Sequence, residues 1–187
     1  MNGIDVEHFV SNFTAGVKKD VAETPVEVLI MGPNVNREEL PAAKLRKEIS
    51  ERCLALGWLS IKAEHQDFID VAGNELGESA SLCTLELELA AFSDAIIIVA
   101  ASEGSFAEFG LFAVAEGIRA RILVLLNRDY EEEKSYLKLG PARSIEHRGG
   151  AVEWVDYTNI DEVWSIVKPY IEAARGRKLD RRRLGGP

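Results

Sequence analysis

Apolar residues recur along this chain in two rhythms, and the switches between them mark its elements. Val6, Phe9, Val10, Phe13, Val17 and Val21 step by three and four, which predicts an amphipathic helix over 5–22. Pro25 ends it, and the apolar run "VEVLIMG" (26–32) predicts a buried strand. Ala42, Leu45, Ile49, Cys53 and Leu56 form the stripe of a second helix, with Gly57 suited to its end. "WLSIKAE" predicts a second strand, and the polar stretch "HQDFIDVAGNELGESAS" a long loop. In "SLCTLELELAAFSD" the leucines alternate as in a strand, yet Leu82, Leu85, Leu89 and Phe92 step by three, four and three, which favours a helix. "AIIIVAA" is the clearest buried strand. A helix is expected from Phe106 to about Ala120, then the strand "RILVLLN", then a polar irregular stretch over 129–150. "AVEWVDY" gives a last strand. Val163, Ile166, Val167, Tyr170, Ile171 and Ala174 share one face of a final helix.

Strand and helix thus alternate about five times, and the strands are apolar throughout rather than on alternate residues. Such strands are buried on both faces, as in a parallel sheet covered by helices. The expected fold is α/β: a doubly wound, five-stranded, mostly parallel sheet of flavodoxin or Rossmann type, with an extra N-terminal helix. The expected organisation is that helix over 1–24, one nucleotide-binding domain over 25–175, and a basic flexible tail over 176–187. Ligands of such sheets bind outside the carboxyl ends of the strands, near the reversal in strand order.

Composition narrows the function. The 187 residues are 47% hydrophobic and 28% charged, as in a folded globular protein. A formal net charge of −9 argues against a nucleic-acid surface as the main business. The terminal stretch "RGRKLDRRRLGGP" nevertheless holds six of the 22 basic residues, which leaves room for a weak contact with RNA or an acidic partner. Cys53 and Cys83 fall on apolar helical stripes and read as buried thiols of a reducing compartment. His8, His65 and His147 are scattered, with no metal-ligand spacing, so no metal and no cofactor is expected. Neither an apolar run of about 18 residues nor a signal-peptide pattern is present, and the expected location is the cytoplasm.

Three segments that leave the strands carry the candidate chemistry. After the first strand, Gly32 permits close backbone approach, Pro33 follows, and Asn34 offers a donor and an acceptor. Asn36 with Glu39 has the spacing of a capping box for the next helix. After "DAIIIV" come Ser102, Glu103, Gly104 and Ser105, where Gly104 would make a tight turn and Ser105 would cap the helix. Phe106, Phe109 and Phe112 read as core. Glu108 either completes a Ser-x-x-Glu capping box with Ser105 or faces the ligand crevice as a functional carboxylate. Glu86 borders the leucine stripe at the edge of the core, while Glu88 and Asp94 read as a solvated face and a strand entry.

The string "LELELAAFSDAIIIVAASEGSFAEFGLFA", Leu85 to Ala113, resembles the signature of the nucleoside 2-deoxyribosyltransferase-like and SLOG superfamily. It is similar in particular to the effector branch found in bacterial antiphage systems such as retrons. The resemblance implies that Glu108 attacks an anomeric carbon and that Glu86 assists base departure. It implies a nucleoside or nucleotide ligand held by Gly32, Pro33, Asn34, Ser102, Glu103, Gly104 and Ser105, and assembly as a homo-oligomer. Two departures stand beside it. The family's further acid, six residues before its nucleophile, is Ser102 here, and the aromatic at the end of strand 1 is replaced by Ile30, Met31 and Gly32. Sensor members of the superfamily bind nucleotide-derived ligands without cleaving them and pass occupancy to a protein partner, so an enzyme and a sensor both stay open.

Overall fold

A computed structural model describes residues 24–61 and 81–184, together with Thr14, Gly16, Lys19 and Asp20. Its centre is a five-stranded sheet: β1 (Glu27–Met31), β2 (Leu59–Ile61), β3 (Ala95–Val99), β4 (Ile122–Asn127) and β5 (Ala151–Val155). The strands are ordered β2-β1-β3-β4-β5 and every pairing is parallel. The expected doubly wound α/β fold is therefore present. β1 and β3 are neighbours, with Met31 opposite Ile98, so the chain reverses its direction across the sheet at that pair. There lies the crevice where such folds hold ligands.

Every residue of β3 is buried, and side chains alternate between two cores because successive residues of a strand point to opposite faces. Val28, Ile30, Ile97, Val99, Leu123 and Leu125 face α1 (Pro41–Ala55) and the long α5 (Ile160–Arg183). Leu29, Met31, Ile96, Ile98, Val124 and Leu126 face α2 (Leu82–Phe92), α3 (Glu103–Val114) and α4 (Arg143–Glu146). Helix α2 contacts β1 and α3 contacts β3, on the same face of the sheet. Gly57 has φ +73°, the left-handed conformation that closes α1.

Several expectations change in three dimensions. The basic stretch after residue 175 is not a loose tail as far as Arg183, because α5 runs through it. Its cations are held by acids at the amino edge of the sheet. Asp94, expected to be a plain strand entry, is 5% exposed and forms the hub. It accepts from the Glu27 amide at 3.0 Å, from Lys178 Nζ at 2.7 Å and from Arg181 Nη2 at 3.3 Å. Lys178 also pairs with Glu27, and Arg183 with Asp20 at 2.8 Å. Cys83 is exposed rather than buried, whereas Cys53 is enclosed and burial pushes its thiol up to about 12. The stretch over 129–150 contains a π-turn at Lys138–Ala142 running into α4. The apolar stripe of the N-terminal helix and the loop over 65–81, apart from Ser81, fall outside the described residues, as do residues 185–187.

Among the described residues no helix is long and apolar enough to cross a membrane, and no group of His, Cys, Asp and Glu could hold a metal ion.

The amino-edge hub generates a pH prediction. Burial works to raise the Asp94 pKa, but hydrogen bonds with Glu27 and Lys178 outweigh it and hold the carboxyl below its ordinary value. A depressed folded-state pKa means that the stabilisation is fully present above the unfolded value, near 4, and fades as pH falls through the folded one. Asp94→Asn should cost about 2–3 kcal/mol at pH 7. It should also flatten the loss of stability below about pH 4. Urea unfolding at pH 7 and pH 3 measures both, and equal losses at the two pH values would remove Asp94 from that role.

Candidate functional site

The carboxyl edge of the sheet is assembled by three side chains that collect carbonyls and amides the strands leave behind. Backbone groups beyond a strand end have no ladder partner, and when buried they need another. Arg46, on α1 and 1% exposed, supplies donors to the end of β1. Its Nε and Nη2 donate to the Ile30 carbonyl at 3.2 and 2.7 Å, and its Nη1 to the Gly32 and Pro33 carbonyls at 3.0 Å each. Sequence reading missed it, because a single arginine between Leu45 and Ile49 looks like any solvated helix residue. Tyr157, after β5, holds its hydroxyl 3.0 Å from both the Ala100 and the Leu125 carbonyl, so it can donate to either and ties β3 to β4. Burial raises its pKa, which keeps that proton in place.

The third is Ser105. The expected capping arrangement is corrected here. Helix α3 begins at Glu103, so Ser102 is the N-cap and Ser105 the third residue of the first turn. The Ser105 amide donates to Ser102 Oγ at 3.3 Å. In return, Ser105 Oγ accepts from the Ser102 and Ala101 amides at 2.8 and 3.0 Å and donates to the Ser102 carbonyl at 2.9 Å. Serine thus does the work expected of Glu108, which is released from capping. Gly104 sits inside the helix rather than in a tight turn. The expected Asn36 cap is also absent: α1 starts at Pro41 after Leu40, and the Asn34 side chain instead accepts from the Asn36 amide at 2.9 Å.

The predicted cradle residues fall into a consistent pattern. Gly32 has φ +147°, and a Cβ there would lie 2.9 Å from the Val99 carbonyl oxygen, so only glycine lets the ends of β1 and β3 meet. Pro33 is buried beside it, Asn34 is exposed, and Ser102 is half-buried across the crevice. Glu103 and Gly104 lie exposed on the first turn of α3, where backbone amides have no intrahelical acceptor. Glu86 is 7% exposed on α2. Glu108 is half-buried, with Oε2 enclosed.

A second region was not anticipated. A cavity of about 550 Å³ opens over the ends of β3, β4 and β5. Phe106, Leu126, Leu137 and Trp154 wall it, and Asn127, Asp129, Asp156 and Thr158 bring polar groups. None of the predicted cradle residues, nor Glu86 or Glu108, lines it. Helix geometry explains the separation. Phe106 and Glu108 are two residues apart, hence about 160° apart around α3. Phe106 faces the cavity, so Glu108 occupies the opposite flank of the helix. The signal available in the sequence was the polar residue directly after each apolar strand, "LLN" and "WVDYT".

The fold and this edge define an all-parallel α/β domain with acid-bearing helices beside a ligand-sized cavity at the carboxyl ends of its strands. Residues 59–182 match the STM3845 retron effector protein family, and the chain belongs to it. It is 30% identical over 149 residues to the retron Ec73 putative ribosyltransferase/DNA-binding protein of Escherichia coli, covering 77% of this chain and 46% of that one. With the retron Ec86 protein of the same description, also from Escherichia coli, it shares 35% identity over 65 residues, which is 35% of this chain and 21% of that one. The chain therefore spans less than half the length of these curated relatives. The matched family span begins at β2, so the Gly32 cradle and Arg46 lie before it.

Ser105→Ala should cost about 1–2 kcal/mol, since it strands the Ala101 and Ser102 amides while leaving the Ser102 cap in place. Chemical denaturation reads the loss. A change below about 0.3 kcal/mol would mean that water replaces the hydroxyl without cost.

Proposed function

We propose that this chain binds a nucleoside or nucleotide at the crevice between β1 and β3 and cleaves or transfers its N-glycosidic bond. The Glu108 carboxylate attacks the anomeric carbon, forming a C–O bond to the enzyme as the C–N bond breaks. The pair of electrons leaves with the base, and Glu86 delivers the proton that neutralises it. Water or a second base then attacks the anomeric carbon as its C–O bond to Glu108 breaks, which frees the Glu108 carboxylate, and Glu86 takes up the incoming proton. A carboxylate suits this step because the transition state carries oxocarbenium charge, which an adjacent anion stabilises before capturing the carbon. The ends of β1 and α3, with Gly32, Pro33, Asn34 and Ser102 to Ser105, cradle the ligand. The reading needs no cofactor and no metal.

The observation that carries it is that two acids on these helices are withdrawn from water. Glu86 on α2 is 7% exposed, and Glu108 on α3 has its Oε2 enclosed. The relatives' description as putative ribosyltransferase/DNA-binding proteins supports the same chemistry. The resemblance of Leu85 to Ala113 to the deoxyribosyltransferase-like and SLOG superfamily agrees with it.

One observation favours a second reading, a non-catalytic sensor of a nucleotide-derived signal that reports to a protein partner. The cavity of about 550 Å³ over the strand ends is lined by neither carboxylate. Incubation with nucleosides and nucleotides separates the two: an enzyme releases free base, whereas a sensor leaves the compound intact and gains melting temperature.

Glu108→Gln should retain the fold, because Ser102 and Ser105 carry the cap without it, and should lower base release by at least about 10³-fold, since an amide is no nucleophile. Chromatography of free base measures this, and near-native release by the folded variant would exclude Glu108 as nucleophile. The same reading includes a homo-oligomer built through the N-terminal apolar stripe. Light scattering at micromolar concentration should exceed the 20.6 kDa of one chain, and a monomer only would end that part.

A further inference from the structure

The turn that leaves β1 is folded inside out, and Arg46 is the reason. Successive carbonyls of an extended chain point to opposite sides. Here the Gly32 and Pro33 carbonyls converge on one nitrogen, Arg46 Nη1, at 3.0 Å each, while Nε and Nη2 take the Ile30 carbonyl. Gly32 permits the convergence with φ +147°, and a Cβ there would lie 3.3 Å from Arg46 Cδ as well as 2.9 Å from the Val99 carbonyl oxygen. The arginine stem therefore packs under the same turn that its head group holds. A trans peptide sets its N–H antiparallel to its carbonyl, and among the described residues no peptide bond is cis. With the Pro33 carbonyl drawn down to α1, the Asn34 amide points the other way, on an exposed residue. The preceding peptide has no N–H to offer, because its nitrogen belongs to Pro33. Among the described residues nothing accepts from the Asn34 amide, although the Asn34 carbonyl and side chain take the Arg37 and Asn36 amides. A cation hydrogen-bonded to a carbonyl polarises that peptide and strengthens its N–H as a donor.

We propose that Arg46 is the positioning residue of the crevice: it turns three acceptors inward so that the Asn34 amide meets an oxygen of the sugar or of its phosphate. This role rests on the reading that a nucleoside or nucleotide occupies the crevice, and adds how the turn is aimed at it. Arg46 acts through the turn rather than by contact. Lysine cannot replace it, since an ammonium on a flexible stem lacks the planar fork that reaches separate carbonyls. Without the fork, the Gly32 and Pro33 carbonyls rotate outward, and the crevice presents acceptors to a ligand that also presents acceptors.

Arg46→Lys and Asn34→Pro test this against Asn34→Ala, with adenosine and AMP as probes and a melting curve for each variant. The two Asn34 variants lose the same side chain, but only proline removes the amide. In base release, Arg46→Lys should raise KM at least about tenfold and keep kcat within about threefold, because both carboxylates sit on other helices. Asn34→Pro should raise KM at least about fivefold above Asn34→Ala. A larger loss with AMP than with adenosine places the accepted oxygen on the phosphate, and equal losses place it on the sugar. Without ligand, hydrogen exchange over residues 32–36 should be at least about tenfold faster in Arg46→Lys, while β3 and β4 stay protected. If Arg46→Lys is unfolded at the assay temperature, the two Asn34 variants decide alone. A loss in kcat at unchanged KM, native exchange in Arg46→Lys, or equal KM in the proline and alanine variants would overturn the inference and leave the glycosidic reading intact. If the wild type binds adenosine or AMP but releases no base, the glycosidic reading fails, and Kd replaces KM with the same expected ratios. Binding of neither probe by the wild type up to millimolar concentration would overturn both.

Discussion

All five strands run the same way, and the rest of the structure follows from that. A parallel ladder sends every strand's unpaired carbonyl end to one edge of the sheet, and the connections that return to the other edge must be helices. With helices on both faces, nothing but apolar side chains fits along β3, and the edge becomes the place where polar groups accumulate. The protein answers with Arg46, Ser105 and Tyr157, each from a different connection, each donating a hydrogen bond to a carbonyl just past a strand end. These side chains fasten β1 to α1, β3 to α3, and β3 to β4 through β5. The loops that could touch a ligand are thereby held by buried hydrogen bonds, which suits a site that must be preorganised.

The two edges of the sheet are opposite in electrostatic character. At the amino edge, Asp94 and Glu27 gather the cations of the end of α5, and the guanidinium of Arg121 donates to the Ala91, Ser93 and Gly117 carbonyls. Burial and the neighbouring Arg181 and Arg177 lower the Arg121 pKa from its usual value, a sign of crowded positive charge there. At the carboxyl edge, Asp129, Glu133 and Asp156 stand around the cavity. A net charge of −9 is thus not a uniform coat, and composition alone cannot describe what a partner meets at either edge.

Helix α3 is the wall shared by two different environments. Its Phe106 flank looks into an aromatic, acid-rimmed cavity, and its Glu108 flank lies on the other side of the helix. The first turn that both flanks share is locked by the reciprocal Ser102 and Ser105 hydrogen bonds.

What the sequence determined by itself is the order and kind of the elements. Runs such as "AIIIVAA" and "RILVLLN" can be stable only as strands covered on both sides. The three-and-four spacing of Leu82, Leu85, Leu89 and Phe92 identified α2 against a competing strand pattern, and Gly57 marked the end of α1. Glu86 was also legible as a boundary residue, since it adjoins that stripe. Local spacing failed where hydrogen bonds could be made in more than one way. Ser102 and Ser105 both fit the start of α3, and only packing that buried Ser105 chose Ser102 as the cap. Arg46 and Asp94 looked like surface charges because their partners are carbonyls and cations brought from distant parts of the chain. The cavity was invisible for the same reason. Phe106, Asn127 and Trp154 come from α3, β4 and β5, and only the register of parallel strands sets them side by side.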